Sequence, residues 1–349
     1  MIVQESFLRS LKPLKQYLTS ENPELDNAIH HAHAMNQWFI PDFSRRSINA
    51  IAEQFLDENK CREWLAKYPG SKDAQKKVAI VMAGNVPLVG FHDLMCVLAA
   101  GHHALIKLSD KDSLLTKFIT DEWIRIEPSL ASRISYVDRL ENFDAVIATG
   151  SNNSSRYFEY YFKNHPHILR RNRNGVAILT GKETKEQLKE LAKDIFLYFG
   201  LGCRNVSKMY VPEGYDFSDW DSVVEDWKSL SDHNKYRNNL DYNYAIYIIN
   251  QVPHIQLGHL ILKEDEAIAS RIGCVHFTYY ASQSDLSAEL ELKRNEIQCL
   301  ISVDPIHGWE HVRPGQSQYP SLDQYADGVD TMEFLARLAL TNHSSTSTH

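Results

Sequence analysis

The sequence predicts an α/β fold built on parallel sheets, and two patterns predict it. Short continuous apolar runs such as Val78-Ala79-Ile80-Val81-Met82 mark strands buried on both faces, as in a parallel sheet. Between those runs lie stretches of helical period, which gives the strand–helix–strand rhythm of a doubly wound domain. A chain of 349 residues is long enough for two domains, each with its own core.

Taken in order, residues 1–72 read as a helical segment. Apolar positions recur at helical spacing in Phe7, Leu8, Leu11, Leu14, Tyr17 and Leu18, and again in Ile48, Ile51, Phe55 and Leu56. His30-His31-Ala32-His33 reads as an exposed helical face, because no carboxylate completes a familiar metal-ligand spacing. Residues 73–175 read as a Rossmann-like domain. After the first strand a Gly-Asn turn leads into a helix over 88–100, with Gly101 at its C-terminal end. A second strand follows in Ala104-Leu105-Ile106-Lys107-Leu108, then an acid-rich helix start at Asp110-Lys111-Asp112-Ser113. Strands are expected at 134–137 and 145–148, and a helix to about Phe162.

Residues 176–340 read as a second domain with a C-terminal return. Its expected elements are a strand at 176–179, a helix over 182–198 and a strand at 207–211. Past 212 the pattern weakens, with strands expected at 244–249, 259–262 and 274–280 and a helix at 286–293. The Ser-, Thr- and His-rich tail over 341–349 reads as disordered.

Composition narrows the function classes. Hydrophobic residues at 43% and charged residues at 23% fit a globular protein, and a net charge of −8 gives no reason to bind nucleic acid or an anionic membrane. No apolar stretch approaches the ~20 residues of a membrane span, and the N-terminus lacks a secretory signal pattern. The five cysteines are odd in number, widely spaced and without CxxC pairs, which argues against disulfides and structural zinc. A cytoplasmic enzyme is expected.

Four short segments carry possible chemistry. Cys203 lies in Gly200-Leu201-Gly202-Cys203-Arg204-Asn205, a glycine-flanked loop whose amides can face an oxygen. Arg204 and Lys208, close in sequence, would favour its thiolate; the competing reading is a small packed residue. In Met82-Ala83-Gly84-Asn85-Val86-Pro87, Asn85 can aim its amide at an oxyanion or simply cap a helix whose first turn holds Pro87. Lys107 ends a parallel strand, on the edge where open α/β sheets bind cofactors, and can reach a ribose or 2′-phosphate or stay solvated. Ala148-Thr149-Gly150-Ser151-Asn152 passes from strand to helix and suits a pyrophosphate, with Arg156 a turn further on, although no GxGxxG occurs.

In this order the four segments resemble the aldehyde dehydrogenase superfamily, and within it the LuxC-type acyl-CoA reductases of bacterial fatty acid reductase systems. The resemblance runs over 78–211, with an echo in Tyr325-Ala326-Asp327-Gly328-Val329-Asp330. It implies an aldehyde dehydrogenase-like fold, a Rossmann-type cofactor domain plus a second α/β catalytic domain. It implies Cys203 as nucleophile and Asn85 as oxyanion donor, with Lys107, Ser109, Gly150 and Ser151 binding the cofactor. NADPH is the cofactor it implies, NADH being compatible with the sequence, and a homo-oligomer is expected.

Two departures bear on the reaction. Hydrolytic aldehyde dehydrogenases carry a glutamate base before the nucleophile, whereas Arg170-Arg171-Asn172-Arg173-Asn174-Gly175 has no carboxylate. An enzyme that takes its acyl group from a thioester has no use for that base. The chain is also shorter than its relatives commonly are. Arg170, Arg171 and Arg173 can attract coenzyme A or NADP phosphates, or be solvated loop charges, and His165 and His167 lack an identified partner. The expected function is therefore NADPH-dependent reduction of an acyl thioester, on coenzyme A or a carrier protein, to an aldehyde through a Cys203 acyl-enzyme. The alternatives are an acyl-phosphate reductase of the same superfamily and a non-catalytic scaffold that retains the fold.

Overall fold

A computed structural model describes residues 2–68, 75–150 and 152–340. The tail over 341–349, expected to be disordered, lies outside the described residues. The chain forms two compact units, Met1–Arg171 with Ser321–His349, and Asn172–Pro320.

The first unit begins with helices α1 (Ile2–Thr19), α2 (Pro23–Met35), α3 (Pro41–Gln54) and α4 (Glu58–Ala66). Asn22 and Asp57 accept backbone N–H groups at the starts of α2 and α4, satisfying donors that a helix end leaves open. The expected apolar stripe of Phe7, Leu11, Leu14 and Leu18 is fully buried, in one core with Val78 and Ile80 of the following sheet. That sheet is wholly parallel, with strands β1 (Lys77–Val81), β2 (His103–Lys107), β3 (Ile134–Tyr136), β4 (Ala145–Thr149) and β5 (His167–Arg170) in the order β3-β2-β1-β4-β5. Helices α5 (Phe91–Ala99), α6 (Ser113–Ile126) and α7 (Asn152–Phe162) connect them. The sequence predicts four of these strands within about two residues. It does not predict β5, whose two apolar residues lie between a histidine and an arginine.

The second unit holds strands β6 (Asn174–Ile178), β7 (Val206–Pro212), β8 (Ile255–Gln256), β9 (Ile261–Glu264), β10 (Cys274–Tyr280), β11 (Ile297–Ser302) and β12 (His311–Val312). They run in the order β12-β11-β6-β7-β10-β9-β8, parallel except for the β8–β9 pair. Its helices are α8 (Lys185–Phe196), α9 (Trp220–Glu225), α10 (Asn234–Ile249) and α11 (Gln283–Leu292). A capping box of Thr184 and Gln187 starts α8. The strand expected at 244–249 is instead the last part of α10. Its run of Tyr and Ile suggests a strand, but the buried positions are Tyr236, Leu240, Asn243 and Tyr247, whose spacing of four, three and four is helical. Strand β11 is missed for the opposite reason: Gln298 and Cys299 interrupt its apolar run.

The chain then returns to the first unit through residues 321–330 and helix α12 (Thr331–Leu340). Arg170, at the end of β5, secures this return. Its side chain is 4% exposed and donates to Asp93 Oδ1 (2.6 Å), Ala326 O (2.5 Å) and Thr331 Oγ1 (2.9 Å). Arg170 is therefore a buried structural cation, neither solvated nor offered to a phosphate. Arg171 pairs at the surface with Glu159 at 2.6 Å.

A second buried carboxylate joins the loops after β1 and β2. Asp112, just before α6, accepts the Leu88 N–H (2.7 Å) and the Thr116 hydroxyl (3.0 Å). Leu88 has a φ of 61°, a left-handed conformation uncommon for leucine, and this bond holds it there. Burial raises the Asp112 carboxyl to about 7.

These contacts give two predictions. Arg170→Met leaves Asp93 charged and buried without its partner and should cost about 3–5 kcal/mol in urea unfolding, most of it recovered by adding Asp93→Leu. For Asp112 the folded state holds a proton that the unfolded chain has released above about pH 4. Its stabilisation is thus full at low pH and lost as pH rises towards about 7. Wild type should lose up to about 1.4 kcal/mol of stability per pH unit across that window relative to Asp112→Asn, measured by urea unfolding at stepped pH.

Candidate active site

In the first unit, parallel register aligns the C-terminal ends of three strands. Lys107 of β2 and Ala148 of β4 both stand beside Val81 of β1. Strand order reverses between β1 and β4, the usual position for a ligand in such sheets. Gly84 follows β1, and a Cβ there would lie 2.6 Å from Ser109 Oγ and 2.8 Å from Lys111 Cβ. Only glycine lets the two loops lie this close.

Asn85 is half-buried in the turn that follows. Helix α5 starts only at Phe91, after Gly90, so Asn85 does not cap it and Pro87 is not in its first turn. Instead the Pro87 carbonyl accepts the Ser47 hydroxyl from α3 at 2.7 Å. Lys107 is exposed at the end of β2, and half-buried Ser109 accepts the Lys111 N–H at 3.3 Å. Gly150 directly follows β4 and precedes α7. Ser151 lies outside the described residues. Asn85, Lys107, Ser109 and Gly150 thus gather on one sheet edge. A close glycine turn, a lysine and a helix start on this edge fit a dinucleotide cofactor.

Cys203 belongs to the second unit, in the loop between α8 and β7. The approach to it is strained: Tyr198, Phe199 and Gly200 have φ of 53°, 57° and 73°. Non-glycine residues in this region cost of order 1–3 kcal/mol each and persist only where the surroundings hold them. Asn205, 1% exposed, does the holding. Its amide donates to Asp194 O (2.9 Å) and Leu197 O (2.8 Å), and its Oδ1 accepts the Gly202 N–H (2.8 Å). Behind it the fully buried Asp194 carboxylate accepts the N–H groups of Gly315 (2.6 Å) and Ser317 (3.0 Å), and burial lifts its pKa to about 6. Gly175 of β6 lies under the loop, where a Cβ would sit 2.7 Å from the Arg204 carbonyl oxygen.

The cysteines divide clearly by environment. Cys61, Cys96 and Cys274 are buried, while Cys203 and Cys299 are half-buried. Burial pushes the Cys299 thiol up to about 12, and it donates to the Arg204 carbonyl at 3.9 Å. Cys299 is held as a thiol; Cys203 is the better nucleophile candidate. The expected help from Lys208 is not present. Lys208 is fully buried on β7, its ammonium bonded to Asp265 O and Thr278 Oγ1, and burial lowers its pKa to about 8.

Sequence reading missed Asn205, Asp194 and Asp112. Asp194 left a signal, a carboxylate on the apolar face of α8 beside Leu191 and Ile195. Among the described residues no group of acids, histidines or cysteines could hold a metal ion, and no helix is long and apolar enough to cross a membrane.

Solved structures share the fold. An oxidoreductase from Marinobacter aquaeolei superposes with a TM-score of 0.66 at 11% identity, over 95% of this chain and 84% of its own. An aldehyde dehydrogenase from Mycobacterium tuberculosis, complexed with NAD+, gives 0.65 at 13% identity over 97% and 84%. A propionaldehyde dehydrogenase from Rhodopseudomonas palustris, with bound propionyl-CoA, gives 0.60 at 9% identity over 93% and 88%. No curated protein matches the chain in sequence. The family model described as acyl-CoA reductase (LuxC) matches residues 8–226, well over half of the chain. With an aldehyde dehydrogenase-like fold and the nicotinamide cofactor that this family implies, the chain belongs to the LuxC acyl-CoA reductases, which are aldehyde-forming oxidoreductases.

Proposed function

We propose that this protein reduces an acyl-CoA to the aldehyde with NADPH, through an acyl-enzyme on Cys203. The observation that carries the reading is the half-buried Cys203 thiol in a strained loop held by Asn205, in a chain of this family. The Cys203 thiolate adds to the thioester carbonyl, the carbon–sulfur bond to coenzyme A breaks, and the acyl group stays on the enzyme. The Cys203 backbone N–H and the Asn85 side-chain amide stabilise the oxyanion that develops on the carbonyl oxygen. A nicotinamide cofactor, when bound, would supply the hydride to the acyl carbon; the bond from that carbon to the Cys203 sulfur then breaks, which releases the aldehyde and restores the thiolate. Lys107 and Ser109 hold the ribose end of the cofactor, Lys107 being suited to a 2′-phosphate, while Gly150 and Ser151 serve its nicotinamide half.

The same reading makes the first unit the cofactor unit and the second the thiol unit. The sequence from Arg170 to Gly175 offers no carboxylate to activate water, so the acyl group is kept for reduction instead of hydrolysis. The Rhodopseudomonas palustris enzyme with bound propionyl-CoA supports coenzyme A as the donor.

Two measurements test this. Intact mass after mixing with acyl-CoA should show an acyl adduct in wild type and Cys299→Ala but none in Cys203→Ala, which should also stop NADPH consumption. Turnover by Cys203→Ala, or an adduct on Cys299, would refute the assignment. Lys107→Ala should raise the KM for NADPH by about 10- to 100-fold, the value of a hydrogen bond to a charged group, and the KM for NADH far less. Equal effects on both cofactors would remove the 2′-phosphate role.

A further inference from the structure

We propose that Asp112 is a positioning residue for Asn85: its carboxylate holds the turn that carries the oxyanion donor against the loop that carries Ser109. The inference rests on the role proposed for Asn85 and adds the group that keeps it in place. Asn85 lies between β1 and α5, where neither a sheet ladder nor a helix fixes the chain. The turn's own bond from the Val89 N–H to the Val86 carbonyl is long, at 3.3 Å. Its path is set by tertiary contacts. Gly84 lies against the Ser109 and Lys111 side chains, the Pro87 carbonyl accepts the Ser47 hydroxyl at 2.7 Å, and the Leu88 N–H donates to Asp112 Oδ2 at 2.7 Å. The last of these acts at the strained point. Leu88, three residues after Asn85, is left-handed at φ 61°, a conformation that persists only where its surroundings hold it.

Asp112 is itself firmly held. It is 5% exposed, its own N–H donates to the Ser109 carbonyl at 3.0 Å, and the Thr116 hydroxyl donates to the same Oδ2 at 3.0 Å. Next to it the Lys111 carbonyl accepts the Asn36 side-chain amide at 3.1 Å, which ties the loop to the end of α2. Asp112 stands at the N-cap of α6, where an aspartate ordinarily accepts the N–H of the second or third helical residue. That cap bond is not made, and the carboxylate turns to Leu88, 24 residues earlier in the chain. A local preference given up for a distant turn is the kind of exception that gathers around functional sites. The fixed loop after β2 thus sets the position of the turn after β1, and with it the direction of the Asn85 amide.

The test is the single-turnover rate at which acyl-CoA acylates the full chain, read by quenched intact mass, together with the KM for NADPH. Asp112→Ala removes the acceptor and should slow acylation about 10- to 100-fold, the cost of a displaced oxyanion donor. The KM for NADPH should change less than about 3-fold, because the backbone bond from residue 112 to Ser109 remains. Asp112→Asn keeps an oxygen that accepts the Leu88 N–H and should restore acylation to within about 3-fold of wild type. Thr116→Val, equal in shape, removes the hydroxyl that orients the carboxylate. It should slow acylation about 3- to 10-fold, and it decides the question if Asp112→Ala does not fold. In an Asn85→Ala background, Asp112→Ala should have no further effect, because the donor it positions is already gone. Wild-type acylation by Asn85→Ala would overturn the oxyanion role of Asn85 and this proposal with it. A slow Asn85→Ala beside normal Asp112→Ala and Thr116→Val, or full additivity in the double variant, would overturn the role of Asp112 alone.

Discussion

A single buried guanidinium makes the first unit a closed body. Arg170 collects an acid from α5, a carbonyl from the returning chain and the hydroxyl that opens α12, across sequence separations of 77, 156 and 161 residues. Neighbouring bonds reinforce the return: Trp64 donates to the Tyr325 hydroxyl at 2.7 Å and Tyr68 to Asp330 at 2.8 Å. Arg170 also stands beside Thr149 in the β4–β5 register, one residue before Gly150. The ion pair that retains the C-terminal helix therefore also fixes the strand end from which the expected cofactor turn departs. Such a pair is costly to desolvate, and its value here lies in defining one arrangement of four segments.

The second unit solves a different problem with neutral and acidic groups. Its loop must reverse direction sharply between α8 and β7, and two aromatic residues take left-handed conformations to do it. Asn205 suits the task because one planar amide supplies both donors and an acceptor. Aspartate of the same size would offer no donors to the Asp194 and Leu197 carbonyls, and alanine would leave those carbonyls and the Gly202 N–H unpaired. Strain at two aromatic residues just before one cysteine is the pattern expected where a side chain must be presented in one orientation.

Much of this was legible in the sequence where local and global preferences agree. Parallel strands such as β1, β2 and β4 announce themselves as short apolar runs, and the turns after them carry their glycines in plain view. The elements that escaped are those whose character comes from tertiary partners. Strand β5 is two apolar residues held by its neighbour and by the burial of Arg170, an arginine that the sequence presents as one of a charged cluster. Helix α10 hides because its exposed Ile248 and Ile249 mimic a buried strand. At the candidate site, residue types suggest Cys203, Asn85, Lys107 and Gly150. The supporting Asn205–Asp194 network is invisible because its members bond mainly to backbone, which leaves no complementary pair in the sequence.

That supporting network bears on which thiol reacts. Cys203 and Cys299 are both half-buried, and exposure alone does not separate them. Their attachments do. Cys299 sits within β11, its backbone committed to the sheet and its thiol to the Arg204 carbonyl, an acceptor that favours the protonated form. Cys203 lies in a loop whose flanking groups, Gly202 N–H and Asn205, are already satisfied by each other. A nucleophile needs a fixed backbone, and the loop provides one outside any sheet ladder. The nearby Cys299 then serves as packing that supports the Arg204 carbonyl, which keeps the loop seated against Gly175.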